Sequence, residues 1–330
     1  MIGRSRQRSE EGAALLSVLL LVAVLGAIAA ASFDRLRLAT NLEANAAALE
    51  QARSFALAAE ALAASRIDDL LARDIGRTTL AGDWHGRTNI LPLPVGVARA
   101  TVTDGGNCFN LNSLVMNEPP APRVIRPRGV EQFVALLIGL DVLEGDARRL
   151  ASALVDWIDS DGVPVPGGVE DEGYTRGDTP YRAANTLLAE ASELRAVAGV
   201  TPELYDRLRP WVCALPTTAL SPINVNTLAP SQARLVAMLM PRELDLARAQ
   251  GMLAQRPPNG WAGSFEFWAV PALYGLVPPG DVLEQPQVKT RWFDLDLRLE
   301  VGDAELHETA LIDAGRAPAR VVVRRWTADE

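Results

Sequence analysis

The hydrophobic pattern of this 330-residue chain begins with an uninterrupted apolar run. No charged side chain occurs between Ala13 and Phe33, and about 20 apolar residues are enough for one helix to cross a bilayer. A short arm carrying Arg4, Arg6 and Arg8 precedes the run. Because positive charge ahead of a single span stays on the cytoplasmic side, we predict that everything after Phe33 is exported.

Three interpretations of the apolar run differ in where the chain is cut. A plain membrane anchor is not cut at all. A secretory signal peptide would be cut after small residues such as Ala29–Ala31, although its apolar core is usually only about 7–15 residues long. A prepilin-type leader would be cut on the cytoplasmic side, between Gly12 and Ala13, and the apolar helix would stay on the mature protein. Gly12 stands between the charged arm and the apolar run, as the third interpretation requires.

The pattern after Phe33 favours the prepilin interpretation. Residues 34–75 contain neither Gly nor Pro and are rich in Ala, Leu, Glu and Arg, which are strong helix formers. Apolar positions recur three or four residues apart, as an amphipathic helix requires; they are Leu36, Ala39, Leu42, Ala46 and Leu49. We therefore predict one continuous helix from Ala13 to about Ala72, roughly 90 Å long.

The rest of the chain changes its hydrophobic period twice. Strand patterns at 97–102 and 108–112 give way to a helical period between about 130 and 280, and alternation returns after about 287. The predicted helices within this block cover 130–140, 147–158, 187–197, 202–208, 230–240 and 242–255, and the predicted late strands cover 291–299, 306–312 and 320–326. We predict that the early and late strands share one sheet packed on the N-terminal helix, and that the helical block is inserted between them.

The few cysteines and histidines limit which metal sites and catalytic mechanisms the chain can have. The two cysteines, Cys108 and Cys213, lie in the exported part, where an oxidising compartment favours a disulfide between them; two buried free thiols are the alternative. Neither a CxxC motif nor Cys/His zinc spacing is present. His85 and His307 are the only histidines, so the sequence offers little for histidine catalysis, and we do not expect an enzyme.

Acidic residues are concentrated in one loop that follows a predicted helix. Between residues 156 and 178 there are seven acidic residues and one basic residue. The whole chain has a net charge of −9. Such a cluster is repulsive unless a cation neutralises it, and oxygen ligands suit Ca²⁺. The predicted ligands are Asp159, Asp161, Glu170 and Asp171, with Asp156 and Asp178 as further candidates.

The acidic loop does not follow the EF-hand pattern. Asp159, Asp161 and Glu170 match its positions 1, 3 and 12, but position 6 is Pro164, where an EF-hand needs Gly. We therefore expect an irregular calcium loop. A solvated acidic loop without a cation and a hydrolase that uses a pair of carboxylates are the alternatives.

Four segments together resemble minor pseudopilin K of the type II secretion system. They are the leader-like Gly12–Leu21, the CFNLNSL sequence at Cys108–Leu114, the LVDWIDSD sequence at Leu154–Asp161 and the INVNTL sequence at Ile223–Leu228. The resemblance covers nearly the whole chain in the right order. Ser17 occupies the fifth position after the predicted cut, where most pilins carry Glu and this family does not.

The resemblance implies an α+β pilin fold, with a long N-terminal helix packed on an antiparallel sheet and a large inserted all-α domain. The corresponding divisions are a leader (1–12), a membrane and filament-core helix (13–32), the pilin helix and first strands (33–129), the inserted domain with its calcium loop (130–286) and the last strands (287–330).

The resemblance also implies a function. It points to a subunit at the tip of the secretion pseudopilus that initiates or caps assembly with minor pseudopilins I and J, for the export of folded proteins. The protein would be anchored in the bacterial inner membrane by one span before assembly, with its bulk in the periplasm. The prepilin peptidase would cleave it and methylate Ala13, and other inner-membrane components of the secretion system would be further partners.

One alternative function comes from the INVNT sequence, which also resembles the start of helix-hairpin-helix DNA-binding modules of competence-like systems. Those modules need a Gly-rich hairpin, whereas residues 241–245 here read PRELD. The surrounding block is acidic, while phosphate binding requires basic charge. We therefore expect no nucleic-acid partner, and DNA binding stays as the alternative to be excluded.

Overall fold

The computed structural model of the protein describes residues 4–117, 119–176 and 179–327. Its first element is a single helix of 70 residues, α1, from Arg4 to Arg73. The continuous helix predicted from Ala13 onward is confirmed, and it begins earlier than predicted. Among the described residues, α1 is the one helix long and apolar enough to cross a membrane.

After α1 come β1 (Thr88–Pro92), β2 (Val97–Asp104), β3 (Phe109–Asn110), β4 (Val115–Met116), β5 (Val124–Ile125), α2 (Pro127–Gly139), α3 (Glu144–Ile158), α4 (Asp171–Tyr174), α5 (Pro202–Leu208), β6 (Val212–Cys213), β7 (Ile223–Asn224), α6 (Arg234–Ala237), α7 (Leu246–Ala254), α8 (Ser264–Trp268), α9 (Gly280–Leu283), β8 (Pro286–Gln287), β9 (Trp292–Val301), β10 (Ala304–Asp313) and β11 (Arg320–Thr327). Short 3₁₀ turns lie between several of them.

The main sheet joins strands from both ends of the chain. Its order is β1-β2-β9-β10-β11, and all neighbours are antiparallel. Strand β2 pairs along its length with β9, from Val97 opposite Glu300 to Asp104 opposite Phe293. The helical block therefore leaves the sheet at the end of β2 and returns to it at the start of β9, which makes it an insertion between two paired strands.

Helix α1 covers one face of this sheet. On β9 the alternate residues Leu295, Leu297 and Leu299 are buried against it, because successive side chains of a strand point to opposite faces. Helix α1 contributes small residues such as Ala52 and Ala56, which are fully buried and let the helix approach the sheet closely. The predicted α+β class, with a long N-terminal helix on an antiparallel sheet, is confirmed.

The inserted block has a separate apolar core. Phe109 stacks on Phe133 with ring centroids 5.1 Å apart, and Leu136, Leu154 and Ile158 are buried around them. Helix α2 begins at Pro127, before the predicted start at residue 130, because proline is well tolerated at the first helical position.

Two asparagine motifs of the same design organise this block. In the first, the Asn112 side chain donates to the Leu188 carbonyl and accepts from the Leu188 amide, at 2.9 and 2.8 Å. In the second, Asn226 does the same with Trp261, at 3.0 and 2.8 Å. Each motif begins on a short strand that pairs in parallel with a later one, β3 with β6 and β7 with β8. The block is thus built from two halves that repeat one hydrogen-bonding arrangement.

Several short elements differ from their prediction. The helix predicted at 187–197 is a 3₁₀ turn at Ala191–Ala196, since the Glu193 side chain bonds the amides of Ala189 and Glu190 ahead of it. The segment 230–240 holds a 3₁₀ turn and the four-residue α6. The strand predicted at 108–112 has only two residues, because Asn110 bonds the amide of Asn112 and starts a turn. The prediction that it belongs to the main sheet is wrong, since it pairs with β6 and Phe109 lies in the core of the inserted block.

Candidate metal centre

The acidic loop begins in the last turn of α3. Asp156 is fully buried there, and Asp159 and Glu170 are 3% and 8% exposed. The loop between them returns towards the helix, because the Val165 amide donates to Asp156 Oδ1 at 3.0 Å. A side chain at Gly168 would lie 1.9 Å from Asp156 Oδ2, so the loop can close over this carboxylate only with glycine at that position.

The fold brings three of the predicted ligands together. Carboxylate oxygens of Asp159, Asp161 and Glu170 lie within 4.8 Å of one another. Asp161 is exposed, whereas the other two are buried. One exposed and two buried carboxylates are therefore close enough together to bind the same ion.

Burial and mutual repulsion perturb the titration of these groups. Burial, followed by the charges of Asp161 and Asp156, raises the pKa of Asp159 to about 6. Burial and then four neighbouring carboxylates, Asp156 first, raise the pKa of Glu170 to about 7. Burial also raises the pKa of Asp156. Ionising this cluster without a cation is therefore unfavourable.

Unsatisfied acceptors show that the pocket suits a cation. Both carboxylate oxygens of Glu170 and Oδ2 of Asp156 are buried without a hydrogen-bond partner among the described residues. Buried polar atoms are otherwise nearly always bonded. Carboxylate oxygens without donors are ligands that Ca²⁺ prefers, so the residues present fit such an ion.

The remaining predicted ligands stand apart from this group. Asp171 accepts a hydrogen bond from the Ala183 amide at 3.0 Å, and its other oxygen lies 3.8 Å from Arg182. Its carboxylate therefore orders the loop that follows α4, and the three-carboxylate group does not include it. Asp178 lies outside the described residues.

The predicted disulfide and processing positions lie elsewhere. The sulfurs of Cys108 and Cys213 are bonded, with Cα atoms 5.7 Å apart and 105 positions between the residues. The bond sits beside the parallel pair β3 and β6, at the base of the inserted block. Gly12 and Ala13 lie within α1.

The first part of α1 is bare along its length. Large apolar side chains remain 51–69% exposed from Leu15 to Leu42. This stretch packs against nothing in the described chain, so its apolar surface needs a bilayer or other helices to cover it.

Sequence reasoning missed a second cluster of charged groups, between α1 and the sheet. Glu60 of α1 and Glu308 of β10 are 4% and 0% exposed, and Arg324 of β11 pairs with Glu60 through both oxygens. One signal was available: Glu308 occupies a core position in the alternation of β10, between Leu306 and Ala310.

Comparison with known proteins gives a consistent result. The sequence models described as "Type II secretion system (T2SS), protein K" match residues 107–217 and 223–289. Type II secretion system protein K of Pectobacterium carotovorum subsp. carotovorum is 35% identical over 98% of this chain and 97% of its own. That of Klebsiella pneumoniae is 35% identical over 97% and 99%, and that of Pseudomonas aeruginosa is 32% identical over 96% and 93%.

One solved structure is similar over most of the chain. It is the crystal structure of the GspK-GspI-GspJ complex from the type 2 secretion system of enterotoxigenic Escherichia coli. The TM-score is 0.73 at 32% sequence identity, and the match covers 85% of this chain and 97% of that one.

Proposed function

Because this chain belongs to the type II secretion system protein K family, we propose that it is the minor pseudopilin at the tip of the secretion pseudopilus. There it initiates or caps assembly together with minor pseudopilins I and J, and so serves the export of folded proteins. The similar crystal structure is that of a GspK-GspI-GspJ complex, which supports I and J as its partners.

The observation that carries this proposal is where the inserted block sits. The segment directly after α1 is bonded to the block, since the Thr78 amide donates to Val288 at 2.8 Å and Asn224 donates to the Thr78 carbonyl at 3.1 Å. These bonds attach the block to the segment that leaves α1 at the end farthest from the apolar span. A subunit stacked above this one would collide with the block, whereas a tip subunit has nothing above it.

Ser17 gives the proposal independent support. In most pilins a Glu at this position neutralises the N-terminal amine of a neighbour inside the filament, where an unpaired charge is costly. A serine hydroxyl cannot neutralise an amine. A subunit without that Glu suits a position with no subunit above it.

In this proposal calcium has a structural role in the inserted block. Asp159, Asp161 and Glu170 are the proposed ligands, with Asp156 directly behind them. The cation would neutralise the repulsion among these carboxylates and give the buried oxygens of Glu170 a partner. It would thereby fix the loop between α3 and α4 on the surface of the inserted block.

Processing completes the proposal. The prepilin peptidase would cleave between Gly12 and Ala13 and methylate the new N-terminus, with the chain held in the inner membrane by α1 and its bulk in the periplasm. Mass spectrometry of the mature protein checks this directly. A methylated Ala13 is the expected first residue, and a mature chain that begins at Ser32 would instead mean a signal peptide.

The test of the function is assembly with purified components. The protein should form a stable complex when it is co-expressed with I and J, and it should form no filaments alone. Omitting it should reduce the number of pseudopili that I, J and the major subunit start. Filaments of this protein alone, or no association with I and J, would contradict the proposal.

A further inference from the structure

A groove runs between the membrane-distal half of α1 and the open edge of the sheet. It has a volume of about 400 Å³, and its floor is apolar, formed mainly by Ile67, Leu70, Trp84 and Leu91. Leu62, on the α1 side of the groove, is 43% exposed. Leu57, earlier on the same helix, is also 43% exposed, so α1 carries exposed apolar side chains up to the groove.

Three arginines line this groove. Arg66 and Arg73 come from α1, and Arg87 comes from the turn before β1. Asp83 is the single acidic residue of the groove lining, and none of the three arginines forms an ion pair in residues 4–117, 119–176 and 179–327. A concentration of unpaired positive charge is unexpected in a chain of net charge −9. Arginine favours carboxylates, because its planar group can donate two parallel hydrogen bonds to them.

The strand beside the groove has a free edge. Strand β1 ends the sheet order and pairs only with β2 among the described strands. Its residue Ile90 is 68% exposed. Unpaired backbone groups at a sheet edge can accept an added strand, whose alternate side chains then fill neighbouring pockets. Asn89 and Leu91 line the groove, so alternate side chains of a strand added to β1 would enter it.

From these three features we propose that the groove binds an extended acidic segment of a neighbouring pseudopilin subunit, added to the edge of β1. Apolar side chains of the segment fill the floor, and its carboxylates pair with Arg66, Arg73 and Arg87. An acidic segment is chosen because its charge complements that of the three arginines. The proposal rests on the proposed function, because the neighbour that supplies the segment is subunit I or J. The groove then fixes which face of this subunit meets the rest of the tip.

Charge reversal tests the groove without altering the apolar core. The variant Arg66→Glu/Arg87→Glu should bind the I–J complex at least tenfold more weakly than the wild type, measured with full chains in detergent. The wild-type affinity should fall as salt is raised, and the variant should lose most of this dependence. Arg207→Glu/Arg242→Glu makes the same charge change on exposed positions of the inserted block and should bind normally. Unchanged thermal unfolding shows that each variant is folded.

Photo-crosslinking identifies the occupant. A photoreactive amino acid at Asn89, in the full chain co-expressed with I and J, should crosslink to an acidic peptide of I or J. A crosslink to a secreted protein or to lipid, or equal affinity of the groove variant and the wild type, would overturn the groove proposal while leaving the function intact. If the wild type itself fails to bind the I–J complex, the proposed function fails and the groove proposal with it.

Discussion

The buried pair Glu60 and Glu308 allows a quantitative prediction about the contact between α1 and the sheet. Glu308 Oε2 accepts a hydrogen bond from Trp326 at 2.7 Å, while Oε1 is buried without a bonded donor. Arg324 lies 3.9 Å from that oxygen and is already bound to Glu60. Arg53 also faces this cluster from α1, above the Trp326 ring. One arginine thus serves two buried carboxyl groups, so Glu308 is best accommodated as the neutral acid.

The size of the effect follows from the shift in titration. Burial, and then the neighbouring Glu60, raise the pKa of Glu308 from 4.5 to about 7. Burial also raises the pKa of Glu60, but the paired Arg324 guanidinium opposes this effect, and the pKa of Glu60 is lowered overall. A pKa shift of this size means that ionising Glu308 costs about 3 kcal/mol more in the folded protein than in the unfolded chain.

The sign of the pH dependence follows from proton linkage. Between pH 4.5 and about 7 the folded state holds a proton on Glu308 that the unfolded chain has lost, so stability falls as the pH rises through this range. Glu308→Gln copies the neutral acid and still accepts from Trp326. At pH 8 the variant should therefore be more stable than the wild type by about 3 kcal/mol, and near pH 5 the two should be similar.

The assay is denaturant unfolding of the full chain in detergent at several pH values between 5 and 8, at one excess concentration of Ca²⁺. Glu43→Gln is the matched control, since Glu43 is exposed on α1, and its profile should follow that of the wild type. Parallel profiles for Glu308→Gln and the wild type, with no crossing or divergence towards pH 8, would show that the folded protein does not hold Glu308 as the neutral acid.

Three further predictions concern the other sites. Saturating Ca²⁺ at about 100 times its Kd should stabilise the protein by about 2.7 kcal/mol; Glu170→Gln should lose most of this gain in a calcium-dependent unfolding assay, and Glu172→Gln should keep it. Replacing Cys108 and Cys213 by serine should cost about 4–5 kcal/mol, because the bond closes a loop of 105 positions; an unchanged unfolding midpoint would argue against that cost. Ser17→Glu should not increase assembly in a filament count, because the proposed tip position has no N-terminal amine above it to neutralise; a clear increase would indicate that a subunit stacks above this one.

Long periodic elements of this fold could be predicted from the sequence. The soluble part of helix α1 contains neither Gly nor Pro after residue 33, and β9, β10 and β11 alternate over eight to ten residues. These patterns extend over enough residues to determine secondary structure. The short strands and 3₁₀ turns of the inserted block could not be predicted in detail, because contacts distant in sequence fix them, such as Asn112 with Leu188.

Candidate ligands could be predicted as a group but not distinguished from one another. Glu170 and Asp171 are neighbours in sequence, yet only Glu170 joins Asp159 and Asp161. Asp171 begins α4 and bonds the Ala183 amide instead. The pairing of Glu60 with Glu308 was also missed, because the chain separates them by more than two hundred residues and the sheet brings them together.

Locating this subunit in the pseudopilus tests the proposed tip position most directly. Pseudopili can be assembled with all subunits present, labelled with gold-conjugated antibodies against residues 130–286, and imaged by electron microscopy. Gold is expected at one end of each filament and not along the shaft. Regular labelling along the shaft would contradict the tip position.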